Sequence, residues 1–162
     1  MAEGEAGWPM LTQDTICTLN QLTRVCRDGE ELCRACGARA VSPGLRTLLR
    51  ERSAEWGRLG DELQALVLLL GGEPATSGTS AACARRGWLA LRAALAGPSD
   101  AALIAEWRRA QGQALRRYAE AMSGYIPERI RRTIGSQADR ISDRLDEIGS
   151  LQAQTAAHSP SA

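Results

Sequence analysis

Apolar residues recur at every third or fourth position along four long segments of this sequence. That spacing collects them on one face of an α-helix, and a helix buries such a face against other helices. Valines are sparse, and there is no alternating run with a hairpin turn that would predict a strand. We therefore expect an all-α fold, with an up-down-up-down four-helix bundle as the simplest topology.

The first two helices have clear boundary signals. Asp14 is a good N-cap for a first helix over 14–39. Ser42-Pro43 combines a capping serine with a proline at the first helical position, so a second helix begins there. Gly71-Gly72 ends that helix as a left-handed C-cap pair, and the polar segment from Glu73 to Thr79 has no period and is predicted to be a loop.

The third segment begins near Ser80 and is interrupted near Gly97-Pro98, because proline cannot continue an unbroken helix. The period resumes up to Ser123-Gly124, and we count both pieces as one bent element. A last helix opens at Ile126-Pro127-Glu128. These signals divide the chain into three parts: a flexible N-terminus over 1–13, the four-helix bundle over 14–153 and a disordered tail over 154–162.

Each predicted helix has a seam of residues expected to face the core. The seams are Leu19, Leu22, Cys26, Gly29, Cys33, Cys36 and Ala40; Leu45, Leu49, Arg52, Trp56, Leu59, Leu63, Leu66 and Leu70; Leu103, Trp107, Ala110, Ala114, Tyr118 and Ala121; and Ile130, Ile134, Gln137, Ile141, Leu145, Ile148 and Leu151. A buried guanidinium needs a carboxylate, so we expect Glu30 or Glu106 to pair with Arg52. We expect the amides of Gln137 and Gln111 to fix the register of the helices.

Composition argues against several classes of protein. The formal net charge is +1, which provides no overall field for binding nucleic acid or an anionic membrane. Residues 1–13 lack a secretory signal pattern, and the longest apolar stretch, 65–70, is far too short to span a bilayer. We expect a cytoplasmic protein with no nucleic-acid or membrane partner. Five cysteines in a reducing compartment predict no structural disulfide.

Three stretches of the chain resemble a known family. They are TLNQLTRVCRDGEE at 18–31, RERSAEWGRLGDELQALVLLLGGEPATSG at 50–78 and RRGWLALRAAL at 85–95. The chain is similar in these stretches to a family of short bacterial proteins described as ferritin-like four-helix bundles of unknown function. The resemblance implies a bundle fold and gives only a hint of the metal chemistry of wider relatives.

The resemblance also bears on that metal chemistry. Ferritin-like di-iron sites need a glutamate from each of two helices and a Glu-x-x-His pair from each of the others. Here the only histidine is His158, in the tail, and no Glu-x-x-His occurs. Related sequences tend to carry a glutamate where Gln111 stands and a histidine where Leu145 stands. The resemblance therefore implies that the di-metal centre is absent.

A different metal site is conceivable from the cysteines. Three thiols on one helical face can bind a soft metal such as zinc or copper(I), with nearby carboxylates as further ligands. Core packing is the favoured reading, because free cysteine behaves as a small buried hydrophobe and no second CxxC completes a zinc site. The weak metal candidates are Cys26, Cys33, Cys36, Glu30, Glu62 and Glu106.

No phosphate loop, nucleophile elbow or catalytic dyad is visible, so we expect no enzyme and no cofactor. The leading hypothesis is a non-catalytic bundle that acts by self-association, as a homo-oligomer, or by binding a protein partner. The alternative is a metal-binding ferritin-like protein that holds a transition metal ion with cysteines and carboxylates. A third hypothesis is a ligand-binding space near Gly97-Pro98.

Overall fold

The computed structural model describes residues 7–79 and 99–157. In these ranges the chain forms four α-helices and no strand, so the predicted all-α four-helix bundle is confirmed for the described residues. The helices are α1 (Gly7–Arg39), α2 (Pro43–Leu69), α3 (Asp100–Ser123) and α4 (Glu128–Ala157). The predicted helical piece from Ser80 and its interruption near Gly97-Pro98 lie outside the described residues.

The predicted start and end of α2 are confirmed. Ser42 is the N-cap, and its side chain accepts a hydrogen bond from Leu45 N at 3.5 Å. At the other end Gly71 adopts φ 76, a left-handed conformation that favours glycine. The N–H of Gly72 then donates to Val67 O at 3.0 Å, which closes the last turn as a Schellman motif.

Two other helix ends differ from the prediction. α1 begins at Gly7 rather than at Asp14, which lies exposed inside the helix. Pro9 falls in the first turn, where its missing N–H breaks no helical bond, so nothing stops the helix from starting earlier. α4 continues to Ala157, because residues 152–157 are mostly alanine and glutamine, which favour helix.

α1 and α2 form an antiparallel hairpin with close contact between the helices. A Cβ added to Gly29 would lie 2.6 Å from Cδ2 of Trp56, so only a glycine lets the indole ring approach at this point. Towards the end of α2, Gly72 lies against Ile16, near the start of α1. Gly29 lies on the predicted seam of α1, and its lack of a side chain permits this close approach.

α3 runs in the opposite direction to α1. Beside the C-terminal end of α1, Val41 N donates to Asp100 Oδ1 at 2.8 Å. Further along, Sγ of Cys26 lies 3.2 Å from the hydroxyl of Tyr118. Since α2 is also antiparallel to α1, α2 and α3 point the same way.

The predicted alternation of helix directions is therefore wrong, although the bundle itself is confirmed. α4 is antiparallel to α3, as the bond from Arg108 to Gln152 at 2.8 Å and the later contact of Tyr118 with Gln137 indicate. The order of the four described helices is up-down-down-up. α3 begins beside the start of α2, since Asp100 accepts hydrogen bonds from Val41 N and Ser42 N, so these two helices run in the same direction.

The seams predicted from the sequence form most of the core. Leu19, Leu22, Cys26, Cys33 and Cys36 of α1 are at most 2 % exposed. The core residues of the other helices are at most 9 % exposed, and the largest fully buried side chains include Trp107, Tyr118, Leu49, Leu63, Leu103, Ile134, Ile141 and Ile148. Val67 and Ile104 are also buried, although they lie beside the predicted seams.

Gly29→Ala tests the close contact between α1 and α2. The added methyl would overlap the ring of the buried Trp56, and overpacking of this kind costs about 1–3 kcal/mol of unfolding free energy. Gly112→Ala, in α3, is the matched control, since a Cβ there meets nothing within 4 Å among the described residues. It should add about 0.5–1 kcal/mol. Urea denaturation measures the change in the free energy of unfolding for each variant. A Gly29→Ala variant that is more stable than the wild type would contradict the contact.

Candidate functional site

A chain of hydrogen bonds inside the bundle involves all four helices. The hydroxyl of Tyr118, in α3, donates to Oε1 of Gln137, in α4, at 2.7 Å. Nε2 of Gln137 donates to Leu59 O at 3.2 Å and to Glu62 Oε2 at 2.8 Å, both in α2. Cys26, in α1, contacts the Tyr118 oxygen at 3.2 Å. We call these residues the core hydrogen-bond chain.

The direction of each bond in this chain follows from the number of available hydrogens. The single hydroxyl hydrogen of Tyr118 is given to Gln137, so the thiol of Cys26 is the donor to the Tyr118 oxygen. The Gln137 amide nitrogen must face α2, because both partners there are acceptors. Tyr118 and Gln137 are each 0 % exposed. The chain therefore satisfies the polar groups of two fully buried side chains.

The thiols and the phenol in the core are poor reactive groups. Burial raises the pKa of Cys26 to about 12, and burial likewise raises the pKa of Cys36 to about 12. Burial also raises the pKa of Cys33 and that of Tyr118 far above their usual ranges. The thiolate is the nucleophile and the metal-binding form of cysteine. These groups stay protonated near neutral pH and act as packing and hydrogen-bonding groups.

The candidate carboxylates do not meet the cysteines in one cluster. Glu30 pairs with Arg27 at 3.1 Å and with Arg34 at 2.9 Å, on the surface of α1. Glu106 pairs with Arg109 on α3. Among the described residues no group of three or more His, Cys, Asp or Glu side chains is arranged to hold a metal ion.

Glu62 is the one candidate carboxylate that touches the core hydrogen-bond chain. It accepts the bond from Gln137 with one oxygen, and its other oxygen lies 3.6 Å from Arg140 NH1. The side chain of Glu62 is 44 % exposed, so the core hydrogen-bond chain ends at the bundle surface. An amide and a guanidinium thus already occupy both oxygens of this carboxylate.

The predicted partner of Arg52 is wrong. Arg52 pairs with Glu55, one turn along α2, and lies 4.0 Å from Glu147 of α4. Arg144 of α4 contacts Glu55 at 3.2 Å and Glu147 at 3.6 Å, so the four charges alternate in sign. Glu30 and Glu106 do not pair with Arg52, because arginines on their own helices already pair with them. The alternating cluster joins α2 to α4.

Beside this cluster a small cleft opens between α2, α3 and α4. Its polar lining includes Arg52, Glu55, Gln111, Arg140 and Arg144, and its volume is about 10 Å³. Gln111 is 2 % exposed, and its Oε1 has no hydrogen-bond partner among the described residues. Nε of Arg52 is buried and lacks such a partner as well. The free donor and the free acceptor thus belong to two residues that line the cleft.

Two of the three sequence stretches that carry the family resemblance, 18–31 and 50–78, contact each other. Asp28, in the Asp-Gly-Glu-Glu turn of α1, accepts hydrogen bonds from Thr79 N at 3.2 Å and from Thr79 Oγ1 at 2.5 Å. Asn20 donates to Glu73 O at 2.9 Å and accepts from Ala75 N at 2.7 Å. These bonds fix the loop after α2 along α1, which explains structurally why both stretches occur together.

Exposed apolar side chains concentrate at one end of the bundle. Of the six large hydrophobic side chains that are exposed among the described residues, five lie at the end where α1 begins and α2 and α3 end. These five, which we call the apolar end surface, are Met10 (70 % exposed), Leu11 (38 %), Leu68 (63 %), Leu69 (78 %) and Tyr125 (78 %). The sixth, Val41, lies at the opposite end.

The start of α1 projects beyond the other helices at this end. Cys26, Glu62, Tyr118 and Gln137 lie at one level, since they share the core hydrogen-bond chain. At about 1.5 Å per helical residue, Met10 lies about 24 Å below that level. By the same rise the ends of α2, α3 and α4 lie only about 8–14 Å below it. The first turns of α1 therefore extend past the described neighbours, which leaves Met10 and Leu11 exposed.

Sequence reasoning identified the buried position of Tyr118 and Gln137 but missed that they bind each other. The available signal was that both are polar and both lie on core seams, so each needs a partner inside the bundle. The apolar end surface was missed for another reason. The early start of α1 was not predicted, and exposure at a bundle end depends on where each helix stops.

Comparison with known protein families identifies a family for this chain. The model of a protein family described as a domain of unknown function, DUF2383, matches residues 14–124, from α1 to the residue that ends α3. None of the curated proteins matches the chain. None of the described helices has the length and apolar character needed to cross a lipid bilayer.

Thiol labelling tests the state of the core cysteines. Cys17 is exposed, whereas Cys26, Cys33 and Cys36 are free and buried. In the native protein at mildly alkaline pH, we expect iodoacetamide to label Cys17 and to leave Cys26, Cys33 and Cys36 unlabelled, as read residue by residue by peptide mass spectrometry. Urea should expose all three together. Rapid native labelling of Cys33 or Cys36 would contradict the raised pKa values and the closed core.

Proposed function

The chain belongs to the DUF2383 family, whose function is unknown, and we propose that it is a non-catalytic bundle protein that self-associates through its apolar end surface. The observation that carries the proposal is the grouping of five exposed apolar side chains at one end of the bundle. Exposed apolar groups scattered singly need no explanation, but several of them at one end of a bundle favour an interaction site there.

A second copy of the chain is the occupant that the charges favour. The formal net charge is only +1, so two copies have little overall repulsion to overcome. In a two-fold contact the same surface serves both partners, and each side meets its own counterpart. Two copies arranged end to end would lay the projecting first turns of α1 from one copy against Leu68 and Leu69 of the other.

The interior supports a role without catalysis. The thiols and the phenol of the core remain protonated, since burial raises the pKa of each of Cys26, Cys33, Cys36 and Tyr118. The carboxylates nearest to the core pair with arginines or with Gln137. General acid–base catalysis needs a group whose pKa lies near the working pH and that reaches a substrate. The buried groups do not meet that need.

We also propose that the protein is a ferritin-like bundle without a di-metal centre. Ferritin-like folds have one long crossover connection, and the long link between the parallel helices α2 and α3 supports this kinship. The middle of the bundle contains Tyr118 and Gln137, and the hydroxyl of Tyr118 donates its hydrogen to Oε1 of Gln137. Leu145 has no ligating atom, and Gln111 offers only a neutral amide.

Sedimentation velocity tests the proposed self-association. We expect the wild-type chain to move, as concentration rises, from its mass of 17.4 kDa to twice that mass. The double variant Met10→Glu/Leu69→Glu removes apolar contacts and adds charge, so its dissociation constant should rise at least about tenfold, equivalent to 1.4 kcal/mol.

Val41→Glu is the matched control, since it adds the same charge to an exposed apolar position at the opposite end. It should dimerise like the wild type. A wild-type chain that stays monomeric at the highest soluble concentration would refute the proposal, and so would equal dissociation of the control and the double variant.

A further inference from the structure

The cleft between α2, α3 and α4 has no lining residue in common with the apolar end surface. Nε of Arg52, in α2, and Oε1 of Gln111, in α3, both belong to residues that line it. Both atoms are buried and have no hydrogen-bond partner among the described residues. Buried polar groups are hydrogen-bonded with few exceptions, so this donor and this acceptor need an explanation.

We propose that the cleft is a binding site for one ordered water molecule, which accepts a hydrogen bond from Arg52 Nε and donates one to Gln111 Oε1. The volume of the cleft is about 10 Å³, which is about the space that a single water needs. A water oxygen accepts and donates at once, so one molecule satisfies both atoms. The water thereby joins α2 to α3 through polar groups.

The charges around the cleft favour water over an ion. Three arginines, Arg52, Arg140 and Arg144, line the cleft together with one carboxylate, Glu55, so a cation is repelled. An anion is disfavoured at the inner end, because the free atom of Gln111 is an acceptor and Glu55 lies alongside. A neutral molecule that can both donate and accept a hydrogen bond fits the groups that line the cleft.

A high-resolution crystal structure, with a matching crystal soaked in bromide, tests the identity of the bound species. We expect a spherical density peak within hydrogen-bond distance of both Arg52 Nε and Gln111 Oε1, with no anomalous signal after the soak. An anomalous bromide peak at that place would overturn the proposal in favour of an anion site. A cleft without density would overturn it as well.

Gln111→Met gives an independent readout in solution, because the sign of its effect depends on the water. If the water is bound, methionine removes its acceptor and leaves Arg52 Nε without a partner, so the Tm should fall by about 2–4 °C. If the cleft is dry, the change removes an unsatisfied buried acceptor, and the Tm should stay unchanged or rise. Gln113→Met, at an exposed position two residues along α3, is the control and should leave the Tm unchanged.

Discussion

The hydrogen-bond chain from Cys26 through Tyr118 and Gln137 to α2 is the interaction on which the rest of the bundle depends. Apolar seams hold helices together, but they tolerate a shift of one helix along its axis. After such a shift, one apolar side chain packs where another packed before, at little cost in free energy. A buried hydroxyl and a buried amide do not tolerate it, because each loses its partner if a helix shifts by one turn. The hydrogen-bond chain involves α1, α2, α3 and α4, so it fixes the positions of the four helices along their axes relative to one another.

The same arrangement that stabilises the bundle removes reactive groups from its interior. The thiols remain protonated, and the carboxylates at the edge of the core bind arginine or glutamine side chains. The middle of the described bundle contains Tyr118 and Gln137, two neutral groups that hydrogen-bond to each other. Among the described residues, the large exposed apolar side chains concentrate at the end from which α1 projects.

Much of the fold could be predicted from the sequence, because local signals determine it. Ser42, Pro43 and Gly71 act within one helical turn, and the period of the seams identified most of the buried residues. Helix direction could not be predicted in this way. It depends on where the connection between α2 and α3 leads, and apolar spacing is the same for a helix that runs up or down.

The candidate site was harder to predict for a related reason. The sequence singled out Gln137 as a buried amide and Arg52 as a buried cation, and the structure buries both to the extent expected. Their partners come from other helices or from the next turn, and a single sequence does not indicate which of several carboxylates lies nearest. Tyr118 was read as an apolar seam residue, because its hydroxyl has no effect on the helical period.

The central claim, that the buried hydrogen-bond chain couples the helices, is tested most directly by a double-mutant cycle in urea denaturation. Tyr118→Phe and Gln137→Met are measured singly and together. The account predicts that the double variant loses less stability than the sum of the single losses, with an interaction energy of about 1–3 kcal/mol, because each single change leaves the other group unpaired. Losses that add within about 0.5 kcal/mol would contradict it.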